Sequence, residues 1–367
     1  MKSKTIRNSN IELMRIVAIL LIISQHLIER GTGNVSYAIL QLPISWRFLI
    51  SSILGNWGQL GVILFVMITS WFLVDRKGIK FKRFFEITFQ TWITSMLILF
   101  LGLIFIPNLI SFKLIIQEVL TPFVQQYWFV STFLLFYLML PILQMVTYSI
   151  KPKSAKFLWI LFTPFVPIYN YYQQNVGGNL MDFIYIFLFV AYLKSNKNNW
   201  FERKRNYFFI GIFLIIILEM IAKMIVPANY FLDIYIKIRG RTFITMVTAA
   251  MIFYCFLNLK IDSNKVINYF GKASFGVYLL HDNILFRPLN NNLSVLWGGL
   301  LKVDNWYFNS PYFIIFHIAI VILLFVVLSP ISYGINKISL YIIKKNFYKL
   351  YVKLDRSYDS IFTVSGK

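Results

Sequence analysis

Charge is scarce in this sequence, and acidic charge is scarcest. Of 367 residues only 14% are charged, with 14 Asp and Glu against 36 Lys and Arg. A soluble domain carries about a quarter. So little polar surface cannot cover a water-soluble globule, and a soluble multi-domain reading is excluded. The single cysteine, Cys255, excludes an intrachain disulfide and a cysteine-based zinc site. Three histidines are poor material for a metal centre, so no metal is expected. There is no Walker lysine loop, no nucleotide-binding glycine fingerprint after a strand and no HExxH. Without an ATPase module, any work must draw on a gradient or a diffusible activated donor. What is abundant is apolar: 58% hydrophobic residues, 19% aromatic, mean hydropathy +0.68. That composition specifies an all-α integral membrane protein.

The net charge of +22 would point to nucleic acid in a soluble chain. Here the cations sit in short loops between apolar runs, so they report orientation and no nucleic-acid partner is expected. Ten runs are long enough to span or nearly span a bilayer. They lie near Glu12–Ile28, Gly58–Val74, Phe85–Ile106, Trp128–Thr147, Phe157–Tyr172, Leu180–Leu193, Tyr207–Ile225, Thr242–Leu259, Val266–Phe286 and Tyr312–Ile335. The fifth and sixth are short and broken by Pro164, Pro167, Gly177 and Gly178, so nine or eleven spans stay open. With a cytoplasmic N-terminus, most of the 36 cations fall on the cytoplasmic side, in alternate loops such as Arg76–Arg83 and Lys194–Arg205 and in the tail. That alternation predicts ten helices with both ends cytoplasmic. The first run reads as a retained helix and not as a removable signal. One membrane domain is expected over 1–343, followed by a basic tail over 344–367 that alternates Lys with Tyr, Phe and Ile, an interfacial amphipathic helix by pattern. The external loops Glu29–Trp57, Pro107–Tyr127 and Arg287–Pro311 are candidates for lids or substrate contacts.

Ionisable groups inside membrane spans are costly and mark function. The first helix carries Glu12, Arg15 and His26. Glu12 and Arg15, three apart, are neighbours on one face. Arg15 and His26 are eleven apart, three turns plus about 20°, so they share a face, with a rise of roughly 16 Å. One stripe therefore places a cation near the cytoplasmic mouth and a titratable base deeper in. Each residue also has a structural reading: Arg15 as a snorkelling cation, His26 as an inter-helix hydrogen-bond donor. The shared face and the difference in depth favour function. His281 and Asp282 end the ninth run, where Asp282 is placed to orient the imidazole or both are interfacial. His317 reads as a packed histidine, Glu219 and Lys223 as an intrahelical pair, and Gly55, Gly58 and Gly61 as a close-packing surface.

Four stretches, taken in order, resemble the acyltransferase-3 family of multi-pass membrane acyltransferases. The first runs from Asn10-Ile11-Glu12-Leu13-Met14-Arg15 to His26, similar to the family's Arg-x10-His opening with an acidic residue three before the Arg. The second is Gly58–Leu73, glycine- and phenylalanine-containing, with Trp71 where the family usually has Gly. The third is Tyr127-Trp128-Phe129 with Pro141, and the fourth is Gly271–His281, like a Gly-Lys-x-Ser-x-x-x-Tyr-Leu-x-His helix. The basic segment Lys80-Phe81-Lys82-Arg83-Phe84-Phe85-Glu86 departs from the family by lacking its Pro. No fused SGNH-type hydrolase domain follows, so transfer is expected to finish in the membrane domain or on a partner.

The resemblance implies transfer of an acyl group, usually acetyl from acetyl-CoA, to a hydroxyl of a cell-surface or lipid-linked glycan. By that resemblance His26 is general base or acyl carrier. Glu12 and Arg15 complete the catalytic stripe, and Arg15, Lys82 and Arg83 meet the anionic donor. Trp128, Ser274, Tyr278 and His281 line the acceptor pocket. A transporter or flippase for a small solute or lipid-linked sugar is the rival reading, on the ten helices and glycine-interrupted segments. A non-catalytic partner in glycan assembly is a third. The Lys-, Asn-, Ile- and Phe-rich composition fits a low-GC bacterium and its cytoplasmic membrane. A homodimer stays open.

Overall fold

An apolar segment in hydrocarbon has no water to satisfy its backbone, so it must close its own hydrogen bonds as helix. The computed structural model describes residues 8–31, 46–76, 78–149, 154, 156–163, 165, 176–196, 199–225, 243–287 and 310–362. Among them every regular element is helical and there is no strand. In chain order the helices are α1 Ser9–Gly31, α2 Trp46–Leu73, α3 Phe81–Phe105, α4 Phe112–Val119, α5 Trp128–Ser149, α6 Val176–Ser195, α7 Trp200–Lys204, α8 Phe208–Ile225, α9 Phe243–Leu257, α10 Lys265–His281, α11 Phe313–Asn346 and α12 Tyr348–Phe362. Five are long and apolar enough to cross a membrane, over Ser9–Glu29, Ile53–Leu73, Phe81–Phe105, Trp128–Thr147 and Phe313–Asn346. The protein is an all-α, multi-pass membrane protein.

Three boundaries differ from the sequence reading. The loop expected over Glu29–Trp57 is partly helix, because α2 starts at Trp46 and runs through Gly55 and Gly58. Glycines lower hydropathy there, yet a neighbouring side chain fills the space: a Cβ at Gly55 would sit 3.3 Å from Ile28. The loop expected over Pro107–Tyr127 contains α4, whose Ser111 side chain caps it by accepting from the Leu114 N–H at 3.3 Å. The last span continues past Pro330 to Asn346 as one helix. Half of the expected fifth run, Phe157–Tyr172, and most of the Arg287–Pro311 loop lie outside the described residues.

The chain forms two compact units, Met1–Phe65 with Asn198–Pro330, and Val66–Lys197 with Ile331–Lys367. In the first, α1 lies along α10. Ser9 accepts from the Asn264 N–H at 2.8 Å and donates to Asn268 at 3.1 Å, Glu12 meets Gly271, and His26 meets His281. The nearly constant offset means that the two helices run parallel. Asn264 caps α10, accepting from the Val266 and Ile267 N–H groups. Glycine permits the approach: a Cβ at Gly271 would lie 2.5 Å from Glu12 Oε2 and 2.9 Å from the Glu12 carbonyl, and one at Gly61 would strike the Ala18 carbonyl. Buried Met14, Ala18, Ile19, Ile22 and Ile23 give α1 its apolar contact with the unit's core. In the same unit α9 is tied to α7 by Asn199 donating to Tyr254 at 2.8 Å.

In the second unit α5 packs on α6 through aromatic rings, with Phe183 5.5 Å from Phe129 and 5.9 Å from Phe136. The tail expected as an amphipathic helix is helical, as α12, and it seats on α3. Phe81 and Tyr358 rings are 5.5 Å apart, and Asp355 accepts from the Phe81 N–H at 2.8 Å.

Candidate active site

The two ends of α1 carry the polar groups, and a helix of this length keeps them apart. Arg15 Nη1 donates to Glu12 Oε1 at 3.0 Å, with Glu12 buried and Arg15 partly exposed. The i,i+3 spacing makes the pair, and Gly271 on α10 makes the room for Glu12. Since α1 is continuous, His26 sits about 16 Å further along.

His26 is buried, and its Nδ1 lies 3.0 Å from His281 Nε2. The two ring centroids are 5.1 Å apart. His281 is the last residue of α10, and its Nδ1 is 2.7 Å from the carbonyl of Val277, one turn back on the same helix. Asp282 Oδ1 lies 3.8 Å from His26 Nδ1, beyond a hydrogen bond but within Coulomb reach. Its other oxygen accepts from Arg287 Nη2 at 3.1 Å. His281, Asp282 and Asn283 have no exposed surface. Asn283 accepts from the Leu285 N–H at 2.8 Å and turns the chain at Ile284–Phe286, which brings Arg287 back to Asp282. The C-terminal end of α10 also presents its negative dipole end to the imidazole pair. A buried imidazole beside a fixed carboxylate can take a proton and hold the resulting charge.

The other residues singled out by sequence fall as follows. Tyr278 is buried one turn before His281, its ring 6.3 Å away and edge-on. Ser274 is buried on the same helix and donates to the Phe270 carbonyl at 3.2 Å. His281, expected to line the acceptor pocket, touches the His26 ring itself. His317 is buried and within 2.7 Å of Ser24 Oγ, as its packed reading requires. Trp128, Lys82 and Arg83 belong to the second unit. Trp128 starts α5 with its ring 6.0 Å from Phe129. Lys82 and Arg83 are about half exposed, at 54% and 56%, and both reach Glu86, at 3.7 and 3.1 Å. Sequence reasoning missed Arg287 as a partner of Asp282, and Asp282 as a neighbour of His26. The one available signal was the Asp-Asn pair at the end of α10, which marks a tight turn.

A family model for the acyltransferase domain, Acyl_transf_3, matches residues 8–331, most of the chain. The chain belongs to the acyltransferase-3 family. No curated protein and no solved structure matches it. The family match contains the Glu12–Arg15 pair, the imidazole pair, Asp282 and Arg287 within one stretch. As an acyltransferase-3 member the protein is an acyltransferase, and the buried polar cluster on α1 and α10 is its candidate active site.

Proposed function

We propose that this acyltransferase transfers an acyl group, acetyl first of all, from cytoplasmic acetyl-CoA to a hydroxyl of a cell-surface or lipid-linked glycan. It would do so within ten spans, both termini cytoplasmic, in a bacterial cytoplasmic membrane. The observation that supports this reading is the buried His26 imidazole, with a second imidazole at 3.0 Å and a carboxylate 3.8 Å away. In the reaction His26 removes the proton of the acceptor hydroxyl as its oxygen attacks the thioester carbonyl. The new C–O bond forms and the C–S bond breaks. The leaving thiolate takes the proton from the imidazolium, so CoA leaves as the thiol and His26 returns to neutral.

Arg15, fixed by Glu12, meets the donor's phosphates, where a charged planar donor is strongest. Lys82 and Arg83 add donor-binding charge. Trp128, Ser274 and Tyr278 line the acceptor side. An acyl-histidine relay through His26 would split the same transfer into two steps.

The test is CoA release by detergent-purified protein given acetyl-CoA and a glycan-lipid extract. Wild type should release CoA, and His26→Ala should lose roughly 100-fold or more of the turnover. Arg15→Ala should mainly raise the KM for acetyl-CoA. Wild-type turnover in His26→Ala would remove His26 from the chemistry. A burst of CoA without acceptor would select the relay.

A further inference from the structure

The imidazole pair has a direction, and it follows from one fixed acceptor. The Val277 carbonyl has no proton to give, so His281 Nδ1, 2.7 Å away, must carry the hydrogen of that bond. In a neutral His281 the remaining nitrogen, Nε2, is then a lone pair and only an acceptor. His26 Nδ1, 3.0 Å from it, must therefore be the donor. The lone pair of His26 is left on Nε2. Free histidine in water favours the opposite arrangement, with the proton on Nε2 and the lone pair on Nδ1, so the pairing overrides an intrinsic preference.

We infer that His281 is a positioning residue for the acyl transfer: it holds His26 in the Nδ1–H tautomer, so that Nε2 is the atom that takes the acceptor's proton. The inference rests on the reading of His26 as the base, and it names the atom and its orienter. Asp282 completes the arrangement. When Nε2 accepts the proton, His26 becomes a cation that still donates from Nδ1 to His281. Asp282 Oδ1 then lies 3.8 Å from that nitrogen. Arg287 fixes the far oxygen of the same carboxylate at 3.1 Å. His281 thus contributes geometry, Asp282 contributes charge, and neither accepts the proton. The register that makes this work is local: residues 277 and 281 are one helical turn apart on α10, so α10 locks its own last side chain before that side chain meets α1.

The chain has only three histidines, which makes the test direct. Full-length protein with 15N-labelled histidine, in detergent micelles, gives three ring signatures, assigned with His26→Gln and His317→Gln. Wild type should show His26 protonated at Nδ1 and bare at Nε2, and His281 the same. His281→Gln places a carbonyl oxygen close to the lost Nε2, so it should keep the His26 tautomer and most of the turnover. His281→Phe keeps the ring volume without the acceptor. It should release His26 toward the Nε2–H form and lower turnover by roughly 100-fold, with the KM for acetyl-CoA little changed. His26 carrying its proton on Nε2 in wild type would overturn the inference, as would a doubly protonated His281. So would a His281→Phe protein with an unchanged tautomer and unchanged turnover. If His281→Phe fails to fold, the wild-type and His281→Gln spectra decide alone. A predicted tautomer together with full activity in His26→Ala would sink the general-base reading while leaving the assignment of the hydrogen bond intact.

Discussion

Gly271 and Gly334 have the same side chain and opposite surroundings. At Gly271 an added methyl meets the Glu12 backbone and carboxylate, at 2.9 and 2.5 Å, while at Gly334 there is nothing within 4 Å. Backbone cannot rotate out of the way as a long side chain can, so Gly271→Ala must push α1 away from α10. That overpacking should cost about 1–3 kcal/mol. It should also loosen the Glu12–Arg15 pair, and so raise the KM for the donor. Gly334→Ala fills open space in a helix interior and should be neutral or stabilising by up to about 1 kcal/mol. Thermal denaturation of the two variants in one detergent reads the contrast. Equal melting temperatures would mean that α1 and α10 do not rely on that contact. The same logic sets Arg15 apart from Lys82 and Arg83. Arg15 is paired with a buried carboxylate, whereas the other two are half exposed and share Glu86, where an ion pair contributes little.

Among the elements, α3 shows how a helix end can be completed from far away in sequence. Its N-cap residue, Lys80, offers no side-chain acceptor. Instead Asp355 of α12 accepts from the Phe81 N–H, and the Tyr137 hydroxyl accepts from the Lys80 N–H at 3.1 Å. The segment that carries Lys82 and Arg83 is therefore held in part by the C-terminal helix. A cap of this kind is worth about 1 kcal/mol, and a carboxylate at a helix N-terminus adds a favourable dipole term. Asp355→Ala should lower the melting temperature and make α12 easier to clip by protease. Asp355→Asn, which keeps the acceptor, should retain most of the wild-type stability. Wild-type stability in Asp355→Ala would show that ring packing, Tyr358 on Phe81 and Phe347 on Phe85 and Phe89, seats the helix without the cap. On α10 the cap is ordinary: Asn264 accepts two N–H groups of its own helix, and Asn264→Ala should cost a similar amount.

For the molecule as a whole, the distribution of cations makes the strongest claim. If both ends are cytoplasmic and the spans number ten, loops at Arg76 and Lys194 face one side of the membrane, and Lys113 faces the other. Cys255 is the only cysteine, so replacing it by Ser gives a background for single cysteines at these three positions. A membrane-impermeant maleimide added to intact cells should label the Lys113 site and leave the Arg76 and Lys194 sites unlabelled until the cells are opened. Labelling of all three from outside would overturn the orientation. The two compact units divide the chain elsewhere than the hydropathy pattern does, because α2 and α11 each contribute to both. Hydropathy sees spans one at a time and carries no signal for which span packs on which.

Composition alone settles that this chain lives in a membrane as helices, because too few charges exist to cover anything else. The spacing of Glu12, Arg15 and His26 on one helix face is also legible, since helical geometry is fixed by local hydrogen bonds. So are the family and the sequence stretches that carry it. The extension of α2 back to Trp46 was hidden, because glycines lower hydropathy without ending a helix when a neighbour such as Ile28 closes over them. The partnership of His26 with His281 was hidden for a deeper reason. The two are 255 residues apart, and nothing in either helix alone states that they run parallel and in register. That register comes from contacts between the helices, Ser9 on Asn264 and Glu12 on Gly271. The sequence places one imidazole on α1 and a second on α10; only their packing brings His26 Nδ1 to His281 Nε2.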